Sequence, residues 1–154
     1  VYFHMSEKDV SKVIQYDRAL IASDSLGCAT GKPHPRSYGT FPRLFAKYVR
    51  DEKLLTLEQA VRKVSSFPAA RFKLGKRGLL IPGYAADIVV FNPDTIQDTA
   101  DYDNPVQVPE GISQTIVNGR LTTNDKLHTK ERAGRYIPAQ QHCGHHIAAD
   151  HAQD

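Results

Sequence analysis

Four consecutive apolar residues, Ala19-Leu20-Ile21-Ala22, constrain the fold of this chain more than any other feature. A run with no polar alternation suits a strand buried on both faces, and such strands belong to parallel sheets covered by helices. The residues before the run agree. Ser6-Glu7-Lys8-Asp9 has the spacing of a helix start, where the serine hydroxyl accepts a free backbone N–H and the acids face the positive helix end. Val10, Val13 and Ile14 then form one apolar stripe, predicting a helix that ends near Tyr16. Helix, short connection and doubly apolar strand together predict a parallel α/β architecture.

The run opens into "SDSLGCATGKPHPR" and a long loop expected from Ser25 to Gly39. Thr40 can cap a following helix with Pro42 in its first turn, burying Phe41, Leu44, Phe45, Tyr48 and Val49. Thr56-Leu57-Glu58-Gln59 is a capping box for an amphipathic helix through Leu57, Ala60, Val61 and Val64 that stops before Pro68. A short helical turn from Pro68 is expected to end at Gly75. After Gly78 the pattern becomes β. Leu79-Leu80-Ile81, the turn Pro82-Gly83 and Ile88-Val89-Val90-Phe91 read as two strands. Gln114 to Val117, Asn118-Gly119 and Arg120 to Thr122 read as a hairpin, because Asn-Gly supplies the positive φ angles of a type I′ turn. Residues 92–111, polar and rich in Asp and Pro, are expected to be a surface loop.

Composition excludes several partners. Forty per cent hydrophobic and 24% charged residues are values of a globular protein. The net charge of +3 comes from scattered Lys and Arg with no basic block, which argues against nucleic acid. No apolar run approaches the roughly 20 residues that span a bilayer, so no membrane partner is expected. Cys28 and Cys143 lie far apart and suggest no disulfide framework, and no signal peptide precedes Glu7 and Lys8, so a cytoplasmic location is expected. The opening Val1-Tyr2-Phe3, with Met5 the sole methionine, reads as the interior of a longer chain. Residues 140–154 carry His142, Cys143, His145, His146 and His151. Their spacing matches no closed zinc module, and a disordered tail is expected.

In parallel α/β folds working residues sit on loops at strand carboxyl ends, and Asp24 stands there. A carboxylate at such a rim can ligate a metal or move a proton to a leaving amine. Arg36 offers a planar fork suited to a substrate carboxylate, and His34, between Pro33 and Pro35, can orient either group. The plainer alternative is an Asx-turn or loop cap at Asp24, with Arg36 paired to it on the surface.

Three elements in order carry a resemblance: the "SD" strand end, "HPRSYGTFPR", and "GLLIPGYAADIVVF" with "VNGR". Between about His4 and Pro138 the chain resembles the N-acyl-D-amino-acid deacylases (D-aminoacylases) of the metal-dependent amidohydrolase superfamily. The resemblance implies the carboxyl-terminal segment of a (β/α)8 barrel over 1–78, part of a small β-sandwich domain over 79–139, and a zinc cofactor in the complete enzyme. It implies that Asp24 is general base and acid close to the zinc, where it can also serve as a ligand. It implies that Arg36 grips the α-carboxylate of an N-acyl-D-amino acid, the small-molecule partner. His34 is carried over only as a neighbour shaping the loop, and Gly83 and Asp87 as structural residues of the β domain.

The departures are as specific. The family's histidine and cysteine ligands come from earlier barrel strands that this chain does not carry. Cys28 matches none of them and His4 is unassigned. The chain alone is therefore expected not to catalyse. Two other readings stay open: another amidohydrolase of the hydantoinase or dihydroorotase kind, against which "HPRSYGTFPR" argues, and a non-catalytic remnant working as an interaction module.

Overall fold

A computed structural model describes residues 5–26 and 31–138. The chain is mixed α/β. Helix α1 spans Glu7–Gln15, α2 Arg36–Arg43, α3 Leu57–Val64 and α4 Ser66–Arg71. A π-helical segment, Leu44–Asp51, continues α2 directly. Four strands follow: β1 Ile88–Phe91, β2 Ile112–Val117, β3 Arg120–Asn124 and β4 Leu127–His128. They form one antiparallel sheet in the order β1-β2-β3-β4. Among the described residues no helix is long and apolar enough to cross a membrane.

The locally encoded starts form as the sequence predicts. Ser6 caps α1 by accepting the Asp9 backbone N–H, and Thr56 with Gln59 closes a reciprocal capping box on α3. Asn118 and Gly119 both take positive φ, 48° and 78°, as the type I′ hairpin turn between β2 and β3 requires. Pro82-Gly83 also forms its turn, with the Tyr84 N–H donating to the Ile81 carbonyl.

Four expectations need correction. Residues 19–22 are extended but belong to no sheet, because a strand needs a ladder partner and none lies beside them among the described residues. They dock on α3 instead. The Ile21 N–H donates to the Lys63 carbonyl, and the nearly buried Lys63 ammonium donates to the carbonyls of Tyr16 and Ala19. Burial pushes the Lys63 amine below its usual range. Residues 79–81 likewise form no strand; each side chain is largely exposed and the segment folds back on itself, the Ala85 N–H reaching the Lys76 carbonyl.

The second helical region starts four residues earlier than Thr40, at Arg36, so the preceding loop is shorter than expected. Thr40 lies inside it, its hydroxyl donating to the Arg36 carbonyl, and Pro42 is internal rather than in the first turn. Pro42 has no N–H to offer the preceding turn. Two residues later the ladder widens, and the Glu52 N–H closes on the Lys47 carbonyl five residues back. Leu44, Phe45 and Tyr48 are buried as expected, while Phe41 is exposed.

Residues 92–111 are not only surface. Ile96 is 2% exposed and completes one core with Ile14, Leu44, Phe45, Tyr48, Leu55 and Ala60. Phe91 and Ile112 of the sheet pack against the same cluster, the Phe91 and Phe45 rings lying 5.0 Å apart. Gly111 makes this possible. Its φ is +77°, and a Cβ there would lie 2.5 Å from the Ile96 backbone.

Within the β region, the Asp87 carboxylate accepts the Asn118 backbone N–H at 2.8 Å and pairs with Arg77. Arg77 also donates to the Asn118 side chain, and Asn118 in turn to the Ala133 carbonyl. The "ADIVVF" and "VNGR" elements are thus tied together by one polar network.

Candidate active site

The extended segment that docks on α3 delivers Asp24 to the mouth of the next loop. Asp24 takes φ +50°, a left-handed conformation that aspartate tolerates better than most L residues. Just after it, the Ser25 hydroxyl donates to the Ser37 hydroxyl at 2.9 Å, tying this corner to the first turn of α2.

Helix α2 begins with donors that need partners. The Arg36 N–H donates to Nδ1 of His34 at 3.1 Å, the Ser37 N–H to the His34 carbonyl, and those of Tyr38 and Gly39 to the Pro35 carbonyl. His34-Pro35 therefore works as a cap, with proline fixed in a helix-compatible φ of −52°. The cap places Arg36 at the first helical position, where Nη2 lies 2.9 Å from Oδ2 of Asp24. The structure thus joins the two residues singled out from the sequence, in the contact that the plainer alternative describes.

Asp24 is 80% exposed and Arg36 38% at the side chain. An ion pair this open is worth about 0.2–1 kcal/mol. Both groups remain open to solvent and to a ligand.

Sequence reading missed the second wall of this corner. His34 presents Nε2 to the hydroxyl of Tyr102 at 3.2 Å, with the two rings edge to face at 5.2 Å. Because Nδ1 accepts the Arg36 N–H, geometry assigns the ring proton to Nε2, which donates to Tyr102. Tyr102 sits in a tight turn in which Asp101 accepts the N–H groups of Asp103 and Asn104. Lys32 donates to the Asp103 carbonyl at 3.1 Å, and Arg43 pairs with Asp98. A Cβ at Gly39 would lie 3.2 Å from that of Asp98, so the segment runs close along α2. The Asp-rich string signals a turn, but nothing local says what the turn rests against.

Among the described residues, no three His, Cys, Asp or Glu side chains converge as a metal site requires. These described residues do not by themselves form a zinc site. His4, Cys28 and the tail residues 140–154 lie outside the described residues.

A family model described as "Amidohydrolase family" matches residues 17–123. A D-aminoacylase of Alcaligenes xylosoxydans xylosoxydans is 42% identical over 137 residues, 89% of this chain and 28% of the relative. A crystal structure of a D-aminoacylase superposes with a TM-score of 0.85 at 42% identity, covering 88% of this chain and 28% of that one. An N-acyl-D-glutamate deacylase from Bordetella bronchiseptica, solved with zinc and a phosphonate mimic of the tetrahedral intermediate, gives 0.82 at 39% identity with the same coverage. The chain spans 28% of the length of these relatives. With more than half of its residues matched by one family model and its backbone superposing on two deacylases, this chain belongs to the amidohydrolase family and is D-aminoacylase-like.

Proposed function

We propose that the chain is a working part of an N-acyl-D-amino-acid deacylase, supplying its proton-transfer carboxylate and its carboxylate-binding arginine. On this reading residues 1–78 are the last barrel segment and residues 79–139 part of the small β domain. The observation that carries the proposal is the superposition on a D-aminoacylase with a TM-score of 0.85 at 42% identity, and the 2.9 Å approach of Arg36 to Asp24 at the start of α2 is compatible with it. That approach puts a fork for the substrate's α-carboxylate beside a group able to move a proton.

The chemistry follows from the two side chains. Arg36 holds the α-carboxylate, so that one enantiomer directs its amide toward Asp24. The Asp24 carboxylate takes a proton from water as the water oxygen adds to the amide carbon. It then returns the proton to the nitrogen as the C–N bond breaks, releasing a carboxylate and a D-amino acid. Zinc belongs to the reading through the zinc-bound relative, and no step is assigned to it because the described residues do not form its cage.

The test is hydrolysis of an N-acetyl-D-amino acid by the protein carrying this chain. Asp24→Asn is expected to abolish turnover while leaving the circular dichroism spectrum unchanged. Undiminished turnover in that variant would remove Asp24 from the reaction.

A further inference from the structure

Resting on the reading of Arg36 as the carboxylate-binding residue, we propose that Tyr102 is a positioning residue that sets Arg36 through His34. Three observations carry this. The Tyr102 hydroxyl meets Nε2 of His34 at 3.2 Å. The other ring nitrogen, Nδ1, accepts the Arg36 backbone N–H at 3.1 Å. The Asp101–Asn104 turn is held against this loop by a separate contact, Lys32 to the Asp103 carbonyl.

An imidazole has two nitrogens of opposite role in its neutral form, so a partner on one fixes the role of the other. The Tyr102 hydroxyl accepts from Nε2–H and so keeps Nδ1 as an acceptor. An acceptor at Nδ1 is what the first N–H of α2 needs. Without the hydroxyl, the ring is freer to exchange tautomers, and the Nδ1–H form would place a donor against a donor. The first N–H of α2, that of Arg36, would then lose its partner. The effect of Tyr102 on Arg36 passes through the ring between them. The turn at residues 101–104 is thereby a strut for the carboxylate-binding corner, supplied from 68 residues further along the chain than His34.

The variant to make is Tyr102→Phe, which removes one oxygen and keeps the ring that packs edge to face on His34. The first readout is the pair of His34 ring nitrogen shifts by NMR on the chain itself, with the Arg36 backbone amide shift. In the parent, Nδ1 is expected at an unprotonated shift and Nε2 at a protonated one. In Tyr102→Phe both are expected to move toward tautomer averaging, and the Arg36 amide to move with them. The Ile116 amide in the sheet is expected to stay in place. The second readout is steady-state hydrolysis of an N-acetyl-D-amino acid by the protein carrying this chain, with KM expected to rise about three- to tenfold and kcat to stay within twofold. His34→Asn, whose side-chain oxygen can still accept the Arg36 N–H, is expected to bring KM in the Tyr102→Phe background most of the way back to the parent value. Unchanged His34 and Arg36 signals in Tyr102→Phe would overturn the proposal. An inactive parent with coupled NMR shifts would leave the strut intact and sink the deacylase reading instead.

Discussion

The Lys63 ammonium donates to the Tyr16 carbonyl at 2.6 Å and to the Ala19 carbonyl at 3.3 Å, from a side chain almost wholly withdrawn from water. Through this contact α3 holds the base of the segment that ends in Asp24. Lys63→Met keeps most of the volume and removes the donor, leaving the Ala19 carbonyl short of a partner while the Tyr16 carbonyl keeps the Ala19 N–H. A loss of about 1–3 kcal/mol is expected, read as a lower urea midpoint.

Glu7 joins α1 to the π-helical segment by accepting from Lys47 at 2.5 Å and from the Tyr48 hydroxyl at 3.2 Å. The hydrogen bond from Lys47 holds the Glu7 carboxyl below its usual range, against a smaller opposing effect of burial. A carboxyl with a depressed folded-state value binds fewer protons than the same group in the unfolded chain as pH falls. Its contribution is therefore present above about pH 4.5 and is lost as pH falls through the folded-state value. Glu7→Gln should flatten the acid limb of a stability–pH curve, and identical limbs would remove this pair from the acid response.

Gly111 has no room for a side chain. Its positive φ and the 2.5 Å approach to the Ile96 backbone mean that Gly111→Ala must move the loop away from the core. The expected cost is about 2–3 kcal/mol, measurable as a lower melting temperature. Gly119→Ala, with positive φ but nothing within 4 Å of its added Cβ, is the milder control.

Arg36→Lys keeps the charge and loses the fork. If Arg36 receives a substrate carboxylate, KM should rise about tenfold while kcat changes little. An equal fall in kcat with KM constant would place Arg36 in the proton-transfer step instead.

What could be read from the sequence was what depends on near neighbours. Ser6 with Asp9, Thr56 with Gln59, and Asn118 with Gly119 each settle a cap or a turn within four residues, and all three formed. Residues 19–22 and 79–81 have strand-like composition, but a sheet depends on partners that composition does not name. Ile96 was hidden by polar neighbours, although its own side chain is among the most buried. Lys63 was hidden by its charge, since lysine is rarely withdrawn from water unless its donors are used. In the site, Asp24 and Arg36 were legible because both flank the same loop, residues 25–35. Tyr102 was not, because its contact with His34 closes a long circuit through the chain.

The place of Ile96 in the core also predicts how the molecule comes apart. Ile96 leaves a polar loop to enter a core built mainly by the helices, while Phe91 and Ile112 approach the same core from the sheet. Withdrawing that one side chain uncovers apolar surface on both sides at once. Helix and sheet amides should therefore open to hydrogen exchange as one cooperative unit rather than in sequence. A protease nick in the loop around Ile96 should release both.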